Sequence, residues 1–373
     1  MTISRDAVQA ALATVIDPEI RRPITEIGML KGFEIVGSKV TVDVFLTIAA
    51  CPMKDAITGS VQNAVGAVDG VAEVAVTLEP MSDEQREELR NLLQGPAKKI
   101  SFLQPDSLTR IYAIASGKGG VGKSSMTVNL AAALVAQGKS VGILDADIYG
   151  HSIPDMLGIS GAPTPIDGMM LPQTAHGISV MSMLPFKPGG KHEPIAARGP
   201  MLHKYVEAFL TDVYWGELDV LLFDMPPGTG DVPMSVARLL PHAELVVVTT
   251  PQIAASDVAI RAGMLAPAFE QKVFGVIENM SSLACPHCGE AMELFGSGGG
   301  NQVAQTLTEN LGYEVPLLAK ITFDPRLREG GDNGLPIVMD DPQSQVATAL
   351  AELATRMTNR PRTLSDIRLT VLP

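Results

Sequence analysis

One short segment, Gly117-Lys118-Gly119-Gly120-Val121-Gly122-Lys123-Ser124, constrains this chain more than any other feature. It satisfies G-x-x-x-x-G-K-[ST], a pattern that a chain of this size and average composition matches by chance on the order of one per cent of the time. The flanks agree with it. Ile111-Tyr112-Ala113-Ile114-Ala115 reads as a buried strand, and the residues after Lys123 read as a helix. Glycines there let backbone N–H groups close around phosphate, and the helix end adds partial positive charge. The pattern assigns Lys123 to the β- and γ-phosphates and the Ser124 hydroxyl to Mg²⁺, with Ser125 next in the helix.

Around this loop, short apolar runs alternate with helical periods. Strand candidates are 110–116, 140–145, 178–184, 219–224, 244–250, 272–278 and 315–319; helical patterns include 123–137, 201–214, 253–271, 299–311 and 342–357. Such alternation predicts an α/β fold, a P-loop NTPase domain whose mostly parallel sheet is covered by helices on both faces. Residues 150–200, rich in Pro, Gly and Met, are expected to form long loops at the carboxyl ends of the strands, where such sheets bind ligands. Two strand ends carry acids. Gly142-Ile143-Leu144-Asp145-Ala146-Asp147 brings two carboxylates near the metal. Asp219-Val220-Leu221-Leu222-Phe223-Asp224 is the Walker B arrangement, followed by Pro226-Pro227-Gly228, where Gly228 can sense a terminal phosphate.

The residues before the linker form a different unit. Ser4 can cap a helix bearing Val8, Leu12 and Val15 on one face, ended by Asp17-Pro18. A strand near 32–36, a Gly37-Ser38 turn and the alternation Val40, Val42, Val44, Leu46 predict a hairpin. A helix with Ile57, Val61 and Val65, a strand near 71–78, and a helix opened by the capping box Ser82/Gln85 complete an order of α, β, β, α, β, α. The expected division is a small α+β domain over 1–94, a linker over 95–108 and the NTPase domain over 109–373.

Composition narrows the partners. Lys and Arg number 28 against 41 Asp and Glu, so 28 − 41 leaves −13, which argues against broad binding to nucleic acid or an anionic membrane. Aromatic residues at 4% are too few for base-stacking platforms. No run of about 18 apolar residues occurs, and the first residues lead into an amphipathic segment, not a signal peptide. A cytoplasmic protein without nucleic-acid or membrane partners is expected.

Three cysteines exclude a disulfide scaffold. Cys285-Pro286-His287-Cys288-Gly289 is a metal knuckle whose spacing lets both thiolates face one ion, with His287 expected to point outward. It supplies only two ligands. Either the pair is redox-active, or a second subunit supplies another pair; a symmetric homodimer gives four thiolates, enough for a [4Fe–4S] cluster or for zinc. Cys51 stands at a predicted helix start, where the dipole can make it an accessory thiolate, or it is a small buried residue.

Residues 110–345 resemble the Mrp/ApbC family of iron–sulfur cluster carrier ATPases, within the MinD/ParA-like deviant Walker A group. The resemblance rests on SGKGGVGKSS (Ser116 to Ser125), DADIYG (Asp145 to Gly150), DMPPGTGD (Asp224 to Asp231), ENMS (Glu278 to Ser281), CPHCG (Cys285 to Gly289) and LREGGD (Leu327 to Asp332), in family order. It implies a homodimer that binds ATP and magnesium, carries a [4Fe–4S] cluster between Cys285 and Cys288 of both copies, and passes it from scaffold proteins to apo-protein clients. It also implies that Lys118 crosses to the partner's nucleotide, Asp147 orients the attacking water, Asp145 holds the metal's water shell and Asn279 reads the adenine. Residues 1–94 resemble the small SufT/PaaD iron–sulfur assembly domain, with Cys51-Pro52 at its motif. His151 stands where the family usually has proline, which loosens a turn but removes no ligand. A ParA/MinD-type positioning ATPase, an electron donor like the nitrogenase iron protein, and a zinc-clamped scaffold share parts of this pattern; the first leaves the knuckle unexplained.

Overall fold

The computed structural model describes residues 3–48, 51, 53–94, 100–104, 107–147, 150, 152–187 and 199–359, which fall into two compact units. Pro52, Ile148, Tyr149, His151, much of the expected linker and the chain from 360 onward lie outside the described residues.

The smaller unit begins with α1 (Arg5–Ala13), whose N-cap Ser4 accepts the Ala7 N–H at 3.3 Å. Strands β1 (Leu30–Val36) and β2 (Lys39–Leu46) pair antiparallel. Helix α2 (Lys54–Gly66) leads to β3 (Glu73–Pro80), parallel to β2, and to α3 (Asp83–Gln94). The capping box forms in both directions: the Gln85 N–H donates to Ser82 Oγ at 3.2 Å and the Ser82 N–H to Gln85 Oε1 at 2.9 Å. Val40, Val42, Val44 and Leu46 bury one strand face against Ile57, Val61 and Val65 of α2. The order α, β, β, α, β, α is as expected.

The larger unit contains β4 (Arg110–Ser116), α4 (Lys123–Ala136), β5 (Val141–Asp145), α5 (Ser152–Met156), β8 (Gln173–Ala175), β9 (Ile178–Ser182), α6 (Gly199–Thr211) and β10 (Val220–Asp224), and its stretch of sequence is interrupted by the short strands β6 (Thr164–Ile166) and β7 (Met169–Leu171). It continues with α7 (Asp231–Leu239), β11 (Glu244–Thr249), α8 (Ile253–Gly263), β12 (Lys272–Asn279), β13 (Leu283–Ala284), β14 (Ala291–Met292), α9 (Gly299–Leu311), β15 (Leu317–Ile321), α10 (Pro325–Asn333), α11 (Ile337–Asp340) and α12 (Gln345–Thr358). The main sheet runs β15-β12-β11-β4-β10-β5-β9-β8, and neighbours from β15 to β9 are parallel. Tyr112, Ile114, Val220, Leu222, Val246 and Val248 join α4 and α12 in one core. The alternate residues Ile111, Ala113, Leu221, Phe223 and Val247 are buried too, so both faces of the sheet are covered. Strand β4 stands between β10 and β11, so the phosphate loop leaves the middle of the sheet. Among the described residues no helix is long and apolar enough to cross a membrane.

The units do not divide at one point in the sequence. Residues 163–173 and 211–216 cluster with the first 99 instead of with the NTPase unit. Strands β6 and β7 form a hairpin across Asp167 and Gly168, whose φ of +41° and +76° suit a two-residue primed turn. Ile166, Met169 and Leu171 are fully or almost fully buried in the small unit's core, and Arg90 of α3 pairs with Asp167 at 3.1 Å. This differs from the sequential partition and from the long loops expected over 150–200. The physical reason is that three apolar side chains on so short a hairpin must be buried, and the small unit's core buries them.

Candidate functional site

The phosphate loop is shaped by two glycines that no other residue replaces. A Cβ at Gly117 would lie 2.3 Å from the Val258 carbonyl carbon of α8, and Gly122 holds φ at +83° just before α4. Lys118, Gly119, Gly120, Val121, Lys123, Ser124 and Ser125 line a cleft of about 190 Å³, together with Asp147 and Ser152. Gly117 and Gly228 lie behind it: the Gly228 N–H donates to Ser116 O at 2.8 Å and fixes the Pro226–Gly230 turn against the loop.

Beneath the loop is a buried polar cluster. Lys123 Nζ stands 2.6 Å from Asp224 Oδ2 and 3.9 Å from Asp147 Oδ2. Ser124 Oγ donates to Asp224 Oδ2 at 2.6 Å, and Thr127 Oγ1 donates to Asp224 Oδ1 at 2.7 Å. Asp145 accepts the Ser182 hydroxyl at 3.0 Å and the Asp147 N–H at 3.2 Å. Burial, and then the Asp224 carboxylate, push the Asp145 carboxyl well above its usual range. Asp224, Asp147 and the Ser124 hydroxyl thus place hard oxygen donors around one ammonium, a partial set of the kind that holds a small divalent cation together with water and phosphate oxygens. Magnesium fits this donor set, with Ser124, Asp224 and Asp145 or Asp147 as the residues that would hold it or its water shell.

Lys118 and Asn279 each make a contact that their expected roles do not include. Lys118 Nζ donates within its own chain, to Gln252 Oε1 at 3.0 Å. Asn279 donates its amide to Val121 O at 2.9 Å and so grips the back of the loop. Sequence reasoning missed Gln252, Ser182 and Thr127. For Thr127 a signal existed, because a hydroxyl four residues after Lys123 shares its helix face.

Cys285 and Cys288 sit in the turn between β13 and β14, where the Cys285 N–H donates to Glu290 O and the Gly289 N–H to Cys285 O, both at 2.8 Å. Backbone N–H groups of His287 and Cys288, with the Cys288 thiol, hold Cys285 below the ordinary thiol range. For Cys51 the sequence leaves two readings, and its burial favours the second. It lies before α2, is 4% exposed, and its sulfur stands 4.0 Å from Glu19 Oε2. Burial outweighs the N–H groups of Met53 and Lys54, and the Glu19 and Asp17 carboxylates add to it, so the thiol is pushed up, in keeping with the small buried residue. At neutral pH iodoacetamide is therefore expected to modify Cys285 and Cys288 first, with Cys51 slower by at least about 10²-fold. Peptide mapping over time checks this; comparable rates at Cys51 would refute its protected state.

The comparisons bear on both units. Residues 107–358 match the family described as NUBPL iron-transfer P-loop NTPase, and residues 5–77 match the iron–sulfur cluster assembly protein family. An iron–sulfur cluster carrier protein of Mycobacterium tuberculosis is 52% identical over 370 residues, covering 98% of this chain and 96% of the relative. One from Synechocystis is 37% identical over 365 residues, covering 96% of this chain and 98% of the relative. The septum site-determining protein MinD of Pyrococcus horikoshii, solved with Mg-ADP, superposes with a TM-score of 0.50 at 24% identity, over 70% of this chain and 100% of that one, a likeness of fold alone. With the phosphate loop, the parallel sheet and near full-length identity in agreement, the chain belongs to the iron-transfer P-loop NTPase family, with an iron–sulfur cluster assembly domain at its start.

Proposed function

We propose that this protein is an ATP-hydrolysing carrier that holds a [4Fe–4S] cluster between two copies of the chain and delivers it to apo-proteins in the cytoplasm. The observation that carries the reading is a two-thiol knuckle on a P-loop NTPase. Cys285 and Cys288 lie together in one turn and supply two thiolates. That is half of a four-thiolate set, which Cys285 and Cys288 from each of two chains complete. The names of the relatives, iron–sulfur cluster carriers, support the same cargo.

On this reading Lys123 and the N–H groups of the loop take the phosphates, and Ser124 and Asp224 hold Mg²⁺, which neutralises phosphate charge when bound. Asp147, on the cleft wall, orients the attacking water, and Asp145 supports the metal's water shell. Gly228 reports the terminal phosphate through its tie to Ser116, and Asn279 reads the adenine. Lys118 leaves Gln252 to reach the partner's nucleotide, a cation supplied in trans of the kind that raises phosphoryl-transfer rates by roughly 10³–10⁵. The cluster is cargo, received from scaffold proteins and passed to clients.

Anaerobic reconstitution tests this. The wild-type dimer is expected to take up about four iron and four sulfide, and Cys285→Ala with Cys288→Ala to take up almost none. Stoichiometric zinc with no iron uptake by the wild type would sink the reading.

A further inference from the structure

The knuckle hangs from two roots, the end of β12 and the first turn of α9, and consecutive residues of β12 tie both. Asn279 donates to Val121 O at 2.9 Å, and its Nδ2 lies 2.3 Å from where a Gly122 Cβ would stand. Glu278, 1% exposed, accepts the Gly300 N–H on Oε2 at 2.6 Å, and Lys320 Nζ approaches its Oε1 at 3.9 Å. Successive strand residues face opposite sides of a sheet. One stretch of backbone therefore grips the phosphate loop with one side chain and the knuckle's far root with the next.

The following residue marks this as a joint. Met280 holds φ at +56°, a left-handed conformation uncommon for a residue with a side chain, and its Cε lies 3.8 Å from the same Gly122 Cβ position. Just beyond it the chain is fixed again: the Ser281 N–H donates to Ile321 O at 2.9 Å and the Phe323 N–H to Ser282 O at 2.7 Å. Cys285 and Cys288 follow directly.

We propose that Glu278 is a positioning residue, and that the Glu278-Asn279-Met280 joint transmits the occupancy of the phosphate loop to the cysteine knuckle. This rests on the nucleotide-dependent carrier reading and names the residues that connect its two halves. A phosphate that shifts the Val121–Gly122 peptide moves the Asn279 amide, because the close approach leaves no slack. Glu278 shares that backbone and moves the Gly300 end of α9, so both roots of the knuckle shift together. Linkage makes the effect reciprocal: whatever the knuckle holds alters nucleotide affinity by the same factor.

The test uses full-length protein without cluster. Alkylation of Cys285 and Cys288 by iodoacetamide is timed with and without Mg-ATP, and nucleotide binding is measured separately by equilibrium dialysis. In the wild type, Mg-ATP is expected to change the alkylation rate at least about 5-fold, the low end of allosteric couplings. Glu278→Met keeps the volume but removes the acceptor; it should bind nucleotide within about 3-fold of wild type and lose the rate change. Glu278→Gln, which keeps an acceptor oxygen, should restore it. Met280→Gly relaxes the joint and should at least halve the effect, which serves if Glu278→Met does not fold. A wild type that binds nucleotide with no rate change, or an undiminished change in Glu278→Met or Met280→Gly, overturns the proposal. A wild type that binds no nucleotide overturns the function reading, and the proposal with it.

Discussion

Lys123→Ala is expected to abolish the ATP turnover proposed above and also to cost about 3–5 kcal/mol of stability, the usual effect of removing one partner of a buried ion pair. Asp224 is 0% exposed and Lys123 only 6% exposed, at 2.6 Å. Without the ammonium, Asp224 keeps its hydroxyl donors Ser124 and Thr127, yet faces Asp145 across a site with no cation. The pH dependence follows with a definite sign. Burial and Asp224 already raise the Asp145 carboxyl, and the Lys123 ammonium opposes that rise. Removing it extends the range in which the folded state binds more protons than the unfolded chain. Between the unfolded carboxylate value near 4 and the raised folded value, stability falls as pH rises. Urea unfolding at pH 5.5 and 8, chosen as roughly neutral-flanking conditions, should show the Lys123→Ala deficit shrinking at the lower pH. Lys123→Ala with Asp224→Asn should recover part of it. A midpoint for Lys123→Ala equal to wild type at both pH values would show that the pair does not hold the fold.

Residues 1–99 expressed alone are expected not to form a well-packed domain, although they contain every regular element predicted for one. Their core lacks Ile166, Met169 and Leu171, all buried in it in the full chain. Each such side chain contributes about 1.5–3 kcal/mol on burial, so the loss is roughly 5–9 kcal/mol, comparable with the whole stability of a small domain. The fragment also loses the Thr164 hydroxyl that donates to Glu19 at 3.0 Å, and the Asp167 partner of Arg90. Fusing 163–173 to residues 1–99 through a flexible linker should restore a dispersed amide NMR spectrum. A dispersed, cooperatively unfolding spectrum from 1–99 without the hairpin would refute the shared core.

The parts legible in the sequence are those whose causes are local. The capping box at Ser82 and Gln85, the alternation along β2, and the phosphate loop between β4 and α4 each depend on residues within a few positions of one another. Helix α8 shows the limit. Apolar spacing predicts helix to 271, yet the α-helix ends at Gly263 and a 3₁₀ turn, Ala266–Phe269, follows. Pro267 sits inside the predicted stretch, removes a backbone donor and stops the helix. Strands β6 and β7 carried a readable signal, Asp167-Gly168 between apolar residues, but the Pro- and Gly-rich surroundings suggest loop. Cys51 stays open in the sequence because a helix start argues for a thiolate while burial argues against one, and burial is decided by residues far away in the chain.

By itself the sequence determined that a parallel sheet presents a phosphate loop, that acids stand at strand ends beside it, and that two of three cysteines form a knuckle. These follow from short-range periodicity and from backbone conformations that glycine alone supplies. Only the tertiary structure decided that Lys123 lies on Asp224, that Asn279 grips the loop while Glu278 holds α9, and that a hairpin from the NTPase stretch completes the accessory core. Hydrogen bonds between residues about 20 to 160 positions apart, and the burial of apolar surface wherever a complementary core exists, depend on packing of the whole chain, which no local pattern records.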